Sequence, residues 1–222
     1  FADVIEKAKK PDEAIARLIK ETFTAHRRIL FDGNGYSADW EREAARRGLR
    51  NLKNSVEAYR TFTEEKNIRL FSSFGVMSEV EMRSREEIFF ENYTKIINIE
   101  ALAMLEMAAR DYIPAVERYI ADIADTAAKK QAVCTDVSCA VEKDIIRRLS
   151  ELNAQAYSAV QRLQALEAEA AGVTDVRDRA GCYCSRVLPA MRELRAAVDG
   201  METLTASDYW PVPTYGDMMF RV

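Results

Sequence analysis

The sequence contains only one histidine, together with 8 glycines and 5 prolines among its 222 residues. Because a di-iron helical bundle needs paired Glu-x-x-His motifs, a single histidine excludes that class of site. A Ser-His-Asp triad would depend on His26 alone, and we interpret His26 as a partly buried structural side chain rather than a base. The scarcity of helix breakers leaves long runs rich in Ala, Glu, Arg and Leu, a composition that predicts an all-α protein.

Long apolar runs and an excess of one charge are also missing. No hydrophobic segment approaches the roughly 18 residues needed to cross a bilayer, and no signal peptide is visible. The formal net charge is −4, and acidic and basic residues are interspersed along the chain. This pattern favours neither a nucleic-acid partner nor a membrane partner, and we expect a cytoplasmic protein.

The four cysteines form two pairs whose spacing does not favour a metal site. They are Cys134, Cys139, Cys182 and Cys184. If residues 138–171 and 175–199 form an antiparallel hairpin, the two pairs lie on the order of 30 Å apart along its axis. We therefore predict ordinary reduced thiols and no bound metal.

The first third of the chain has the signals of short helices. Pro11 followed by two acidic residues is typical of a helix start, because proline is tolerated in the first turn and acids favour the positive end of the dipole. Ser37 is a predicted N-cap, whereas Gly48 and Gly75 are predicted to end helices. The resulting helices are expected over about 11–30, 38–47, 51–62 and 64–74.

The loop Gly33-Asn34-Gly35 has the look of a phosphate-binding loop. A phosphate cradle normally follows a buried β-strand and carries more glycines or a Gly-Lys-Ser/Thr ending. Here an amphipathic helical pattern precedes the loop, and Tyr36-Ser37 follows it. We interpret the loop as a hinge between helices, made by a left-handed C-cap glycine and the N-cap serine.

From residue 78 onward the apolar residues recur at alternating spacings of three and four. This spacing keeps one stripe of each helix facing its neighbours in a left-handed bundle. The predicted stripes contain Ala109, Ile113, Val116, Ile120, Ile123 and Ala127, then Ile145, Leu149, Leu152, Ala156, Ala159, Leu163, Leu166 and Ala170, then Val176, Ala180, Tyr183, Val187, Ala190, Leu194, Ala197 and Met201. Short connections make sequential helices antiparallel, and Pro114 and Pro189 are expected to kink helices without ending them.

The C-terminal segment SDYWPVPTYGDMMFRV has no helical period but is dense in aromatic residues. Its aromatic side chains are Tyr209, Trp210, Tyr215 and Phe220. A free disordered end is usually poor in such residues, so we predict that this tail docks on the protein body or on a neighbouring subunit. The predicted fold is therefore all-α: short helices, an antiparallel bundle of long helices and an irregular aromatic tail.

Three segments of the sequence have a specific pattern: FDGNGYS with the following EAARRGLRNL, then EEKNIRLFSSFGVMSEVEMRSREEIFFENYTKIINIEALAMLEMA, and finally YWPVPTYGDMMF. These segments resemble the C-terminal region of type III bacterial glutamine synthetases. The resemblance covers most of residues 1–116 and the tail from about 208. Residues 130–205 resemble the family only in helical character.

The resemblance implies a parent enzyme that joins glutamate and ammonia with ATP through a γ-glutamyl phosphate, using Mg²⁺ or Mn²⁺. Its partners would be its own catalytic domain and neighbouring subunits, in a homo-oligomer expected to be a dodecamer. None of the family's metal-binding, ammonia-site or substrate-binding motifs is present in this sequence. We therefore assign no catalytic, cofactor-binding or metal residue here, and expect this chain alone to be inactive.

The resemblance also implies three regions along the chain. Residues 1–76 are expected to be the helical end of the catalytic domain, 78–204 an added long-helix bundle, and 205–222 the docking tail. Because the sequence begins at Phe1 and becomes helical within a dozen residues, we interpret it as a piece of a longer protein. The bundle is expected to act in assembly, either by packing on its own catalytic domain or by supporting contacts between subunits or rings.

Two other functions remain open at the level of sequence. A free-standing helical interaction module without an enzymatic parent is the main alternative. A thiol or metal sensor using the cysteine pairs is the weaker one, and finding no stoichiometric zinc would reject it.

Overall fold

The structure, a computed structural model, describes residues 1–213 and 215–220, without the side chain of Tyr215. All regular elements in this part of the chain are helical, so the predicted all-α class is confirmed. The α-helices are α1 (Ala2–Glu6), α2 (Pro11–Ala25), α3 (Ala38–Arg46), α4 (Ser55–Phe62), α5 (Glu65–Ser73), α6 (Glu79–Met107), α7 (Ile113–Val133), α8 (Ala140–Ala171), α9 (Val176–Cys182), α10 (Leu188–Glu202) and α11 (Tyr215–Phe220).

The chain divides into two compact units, residues 1–53 and 54–222. The boundary between them lies before α4 rather than near residue 77, where the end of the catalytic domain was expected. The physical reason is aromatic packing, because Tyr59 and Phe62 of α4 contact Phe89 of α6 with ring centroids 5.2 and 5.6 Å apart. Residues 54–76 therefore pack with the bundle. Their assignment to a catalytic domain stays a prediction.

In the first unit, Arg47 holds the end of α3 against the preceding loop. Its guanidinium donates hydrogen bonds to the carbonyl oxygens of Arg28 and Leu30 and lies 6.0 Å from the centroid of the Phe31 ring. Phe31 in turn packs on Trp40, with 4.4 Å between ring centroids. The loop 30–37 is thus held in place by the Arg47 guanidinium and by the contact between the Phe31 and Trp40 rings.

The glycine loop is a helix connection, as expected, but the expected left-handed glycine is wrong. In the described part of the chain, positive φ occurs at Gly48 (71°) and Gly75 (64°), which end α3 and α5 as predicted. Gly33 is needed for another reason, since a Cβ there would lie 2.5 Å from the Phe31 ring. The side chain of Ser37 precedes α3 but donates to Asn34 O at 2.8 Å instead of capping the helix.

In the second unit, three long helical segments run over 79–133, 140–171 and 176–202. The first begins with a capping box: the Ser78 N–H donates to the Glu81 carboxylate at 2.7 Å, and the Glu81 N–H donates to the Ser78 hydroxyl at 3.3 Å. Helix α8 packs against both α7 and α10, and α6 packs against α4 and α9. The connections 134–139 and 172–175 are short, as the antiparallel arrangement requires.

Both internal prolines follow a five-residue π-helical turn, over Ala108–Tyr112 and Tyr183–Val187. Proline lacks an N–H donor and its ring clashes with the carbonyl four residues earlier in a regular α-helix. The wider turn removes this conflict, because the N–H groups of Ile113 and Leu188 donate to carbonyls five residues back. The chain therefore remains helical through Pro114 and Pro189.

The core contains buried residues from all three predicted stripes, and the first stripe differs from the prediction by one residue. The extra residue of the first π turn moves Ala108, not Ala109, into the core. Buried members of the three stripes are Val116, Ile123, Leu149, Ala156, Leu163, Ala170, Ala180, Tyr183, Val187, Ala190, Leu194, Ala197 and Met201. Several polar contacts cross between helices, among them two that involve buried side chains of the core: Arg177 binds Glu86 at 2.5 Å, and the Asn153 amide donates to Glu117 at 2.6 Å.

We expect Leu163→Ala to destabilise the second unit by about 2–5 kcal/mol, because it removes a fully buried side chain and leaves a cavity. Val133→Ala is the control, since Val133 is 91% exposed and its truncation should cost under about 0.5 kcal/mol. Urea unfolding followed by circular dichroism measures both. Equal losses in the two variants would contradict the assigned core.

We also expect a pH-dependent contribution from Glu43 in the first unit. Hydrogen bonds from Arg46 and then Arg47 lower the pKa of Glu43 from 4.5 to about 2. Since the folded pKa is the lower one, the stabilisation is present above about 4.5 and is lost as the pH falls towards 2. Glu43→Gln should therefore weaken this unit at pH 7, by an amount that shrinks in acid.

Urea unfolding monitored by Trp40 fluorescence, in a Trp210→Phe background, measures the effect of Glu43→Gln. Trp40 suits this measurement because it packs on Phe31 beside α3. Glu21→Gln, on the exposed side of α2, serves as the control. A Glu43→Gln deficit of the same size at pH 7 and pH 3 would argue against an ionic origin.

Candidate functional site

Trp210 anchors the C-terminal tail in the core of the second unit. Its side chain is 8% exposed and its indole stacks on Tyr112, with ring centroids 5.0 Å apart and 22° between the planes. The backbone is fixed at the same point, because the Trp210 N–H donates to Ala206 O at 3.2 Å. The tail therefore packs on the first π turn of its own chain.

Tyr209 lies beside Trp210 and contacts α7. Its ring centroid is 5.0 Å from that of Tyr119. A hydrogen bond to the Asp122 carboxylate raises the pKa of Tyr209 above its ordinary value, because the phenol donates to a group that is already negative. The two consecutive aromatic residues thus contact the same long helical segment at two points, the first π turn and α7.

The remaining two predicted tail residues differ from this pair. Phe220 is 78% exposed at the end of α11, so the structure does not bring it to the docking point. Tyr215 begins the same helix, and its side chain lies outside the described residues, as do Thr214, Arg221 and Val222. This short helix was not predicted by the sequence pattern.

A groove with a volume of about 230 Å³ lies beneath the docked tail. Its walls combine methionines, the Tyr112–Trp210 pair and charged residues of α10. Burial, with smaller contributions from Glu202 and Asp111, raises the pKa of Tyr112 and keeps its phenol neutral. The groove is lined by Met104, Met107, Ala108, Tyr112, Leu194, Arg195, Val198, Asp199, Glu202, Trp210, Val212, Pro213 and Met218.

Thr205 is a docking residue that sequence reasoning missed. It is buried where the tail leaves α10, and its hydroxyl donates to Met201 O at 2.8 Å. A threonine four residues after a stripe methionine carries no specific signal in sequence. Its role follows from the turn that brings Trp210 back onto the bundle.

His26 and the four cysteines are the candidate reactive residues of the sequence. His26 is exposed at the end of α2, so the expectation of a partly buried side chain is wrong, because α2 ends before it. Among the described residues, no group of three or more His, Cys, Asp or Glu side chains could hold a metal ion. The four cysteines are unbridged, and burial, with a smaller contribution from the neighbouring Cys184 thiol, raises the pKa of Tyr93.

The first unit carries an uncovered apolar face. Residues 1–53 are all described, and within them only Ala14 and Ala44 are buried. The apolar side of the α1–α2 pair instead faces solvent and forms a shallow groove. We call this the α2 face; it consists of Phe1, Ile5, Ile15, Leu18, Ile19, Thr22 and Phe23.

Comparison with known families connects this helical architecture to an enzyme. The family model described as glutamine synthetase C-terminal domain matches residues 14–131. The chain belongs to that family. The match runs from α2 almost to the end of α7, so it includes the part of the α2 face that lies on α2 itself and the π turn on which the tail docks.

Relatives of this glutamine synthetase C-terminal domain extend the similarity to the whole chain. A glutamine synthetase from Butyrivibrio fibrisolvens is 36% identical over 95% of the chain, and the type-3 glutamine synthetase of Dictyostelium discoideum is 33% identical over 96%. A glutamine synthetase of Bacteroides fragilis is 26% identical over 98% of the chain. The chain spans about 30% of the length of these curated relatives. No helix in the described residues is long and apolar enough to cross a bilayer.

We expect Trp210→Ala to destabilise the second unit by about 3–5 kcal/mol, because it removes a buried aromatic ring and its stacking contact with Tyr112. Phe220→Ala is the matched control on the same tail and should be nearly neutral, since Phe220 is exposed. Urea unfolding followed by circular dichroism compares them. A neutral Trp210→Ala variant would mean that the tail does not dock in solution.

Proposed function

We propose that this chain is the C-terminal region of a type III glutamine synthetase and that it supports assembly of the enzyme without taking part in catalysis. The family membership and the match to a relative named type-3 glutamine synthetase support the parent. The parent would join glutamate and ammonia with ATP and Mg²⁺ or Mn²⁺ in the cytoplasm. All three relatives are about three times as long as this chain, which leaves room for a separate catalytic part.

The α2 face supports an attachment role for the first unit. Residues 1–53 bury only two alanine side chains, so this unit has little buried apolar surface and is only marginally stable alone. Ile19 and Phe23 of α2 are more than half exposed, so the helix lacks the surface against which its apolar side normally packs. We assign residues 1–76 to the helical end of the catalytic domain, which would cover this face.

The bundle over 78–204 is assigned to contacts between subunits or rings of a homo-oligomer, for which a dodecamer is the family expectation. Two features support this role. The long helices pack through alanine-rich stripes, and the described residues hold no group of three or more His, Cys, Asp or Glu side chains that could hold a metal ion. ATP and the divalent metal would bind to the catalytic part.

The test compares two forms of the full-length protein. One is intact and the other lacks residues 78–204. We expect the intact form to make glutamine from glutamate, ammonia and ATP, and the shortened form to lose both activity and its large molecular mass. The 222-residue chain alone is expected to be inactive. Light scattering coupled to size exclusion gives the mass, and glutamine formation gives the activity.

The two readouts separate the parts of the proposal. Full activity and an unchanged mass in the shortened form would contradict the assembly role. An intact protein that makes no glutamine would contradict the enzymatic parent, whatever its mass.

A further inference from the structure

Helix α6 is apolar on two opposite sides. Its inner side buries Met82, Phe90 and Ala101 in the bundle. The outer side nevertheless exposes large aliphatic residues, among them Ile88, Ile96 and Ile99, which are 48%, 56% and 67% exposed. A line of large apolar residues on an exposed helix face is typical of a contact surface, so the outer side indicates a missing partner.

The exposed residues form a continuous line along four turns of α6. We call this the α6 outer stripe; it consists of Arg85, Ile88, Asn92, Ile96, Ile99 and Glu100. Apart from the terminal Glu100, successive members are three or four residues apart, which is the spacing of a helix–helix contact. All six side chains are exposed in the described part of the chain.

The stripe is complementary to itself when read in the opposite direction. If a second copy of α6 runs antiparallel and the two Asn92 side chains face each other, Ile88 of each copy lies beside Ile96 of the other. In the same register, Arg85 lies beside Ile99 and Glu100 of the second copy. A two-fold axis through Asn92 therefore matches apolar with apolar residues and positive with negative ones.

The charges on both flanks fit this register. Arg85 and Glu100 make no hydrogen bond or ion pair among the described residues, and Arg85 has only a longer-range attraction to Glu81. On the other flank, Glu91 and Lys95 form an exposed pair at 3.3 Å and would each face the opposite charge of the second copy. A two-fold axis places each flank of one copy against the same flank of the second copy. The charges on both flanks therefore meet opposite charges in the same register.

Asn92 occupies the point where the stripe crosses the axis. An asparagine amide is both donor and acceptor, so two copies of it can pair symmetrically. A single polar residue of this kind within an apolar helix seam fixes the register and the orientation of the partner. Its position at the centre of the stripe is the one that a symmetric contact requires.

We propose that the α6 outer stripe docks on the same stripe of a second copy of this chain, as an antiparallel pair related by a two-fold axis. This inference rests on the proposed role in assembly and names the surface that performs it. The stripe extends over on the order of 25 Å, which is small for a stable interface on its own. Repetition of the contact in an enzyme of many subunits would strengthen it.

Charge reversal in the full-length protein tests the pairing. Arg85→Glu and Glu100→Arg, made singly, each place like charges together at both ends of the contact. We expect each variant to dissociate on dilution at a protein concentration at least about tenfold higher than the wild type does. The double variant Arg85→Glu/Glu100→Arg restores opposite charges and should return the oligomer to the wild-type mass. Mass photometry over a dilution series measures this.

Arg118→Glu is the matched control, because Arg118 is an exposed arginine on α7, outside the stripe. It should leave the mass unchanged, and circular dichroism should show that all variants remain folded. Asn92→Cys gives a second readout, since a two-fold contact at this position allows a disulfide between copies. Tyr157→Cys, exposed on α8, should give no such dimer.

Single reversals that keep the wild-type mass, or a double reversal that fails to restore it, would overturn the pairing. If the deletion of residues 78–204 disrupts the oligomer while the reversals do not, only this inference fails. If the deletion itself leaves the oligomer intact, the assembly role fails with it.

Discussion

The packing of α8 between α7 and α10 is the constraint on which the rest of the second unit depends. Leu149, Ala156 and Leu163 are completely buried along this helix. Alanine at alternating positions allows close approach of the helix backbones, while leucine fills the remaining space. The position of α7 and α10 relative to α8 then fixes Tyr112 and Leu194, which form part of the surface that receives the tail.

Most of the fold follows from apolar periodicity and from the position of helix breakers. The stripes along α7, α8 and α10 were predictable because one side of each helix is buried and the other is solvated. Gly48 and Gly75 were predictable because a positive φ strongly favours glycine. The π turns were not, because they arise from a conflict between proline and the continuous helix that tertiary packing resolves.

The candidate docking site was only partly visible in the sequence. Aromatic density identified the tail, and Trp210 is the residue with the strongest contacts there. The same criterion selected Phe220, which is exposed, because composition does not say which ring finds an apolar surface. The outer side of α6 could not be recognised in the sequence either. Apolar residues on both sides of that helix blur its periodicity, and only the structure separates the inner side from the outer one.

The π turns also set how the chain tolerates changes in length. Each turn contains one residue more than a regular α-helical path would need, so a one-residue deletion there would place Pro114 or Pro189 in a regular helix, where its ring clashes with the carbonyl four residues earlier. The same deletion would rotate all following residues by about 100° around the helix axis. After a deletion in the first turn, Val116 and Ile123 would leave the core, and α7 would lose its packing. The irregular turn is therefore what keeps two differently phased apolar stripes on the same side of one long helix.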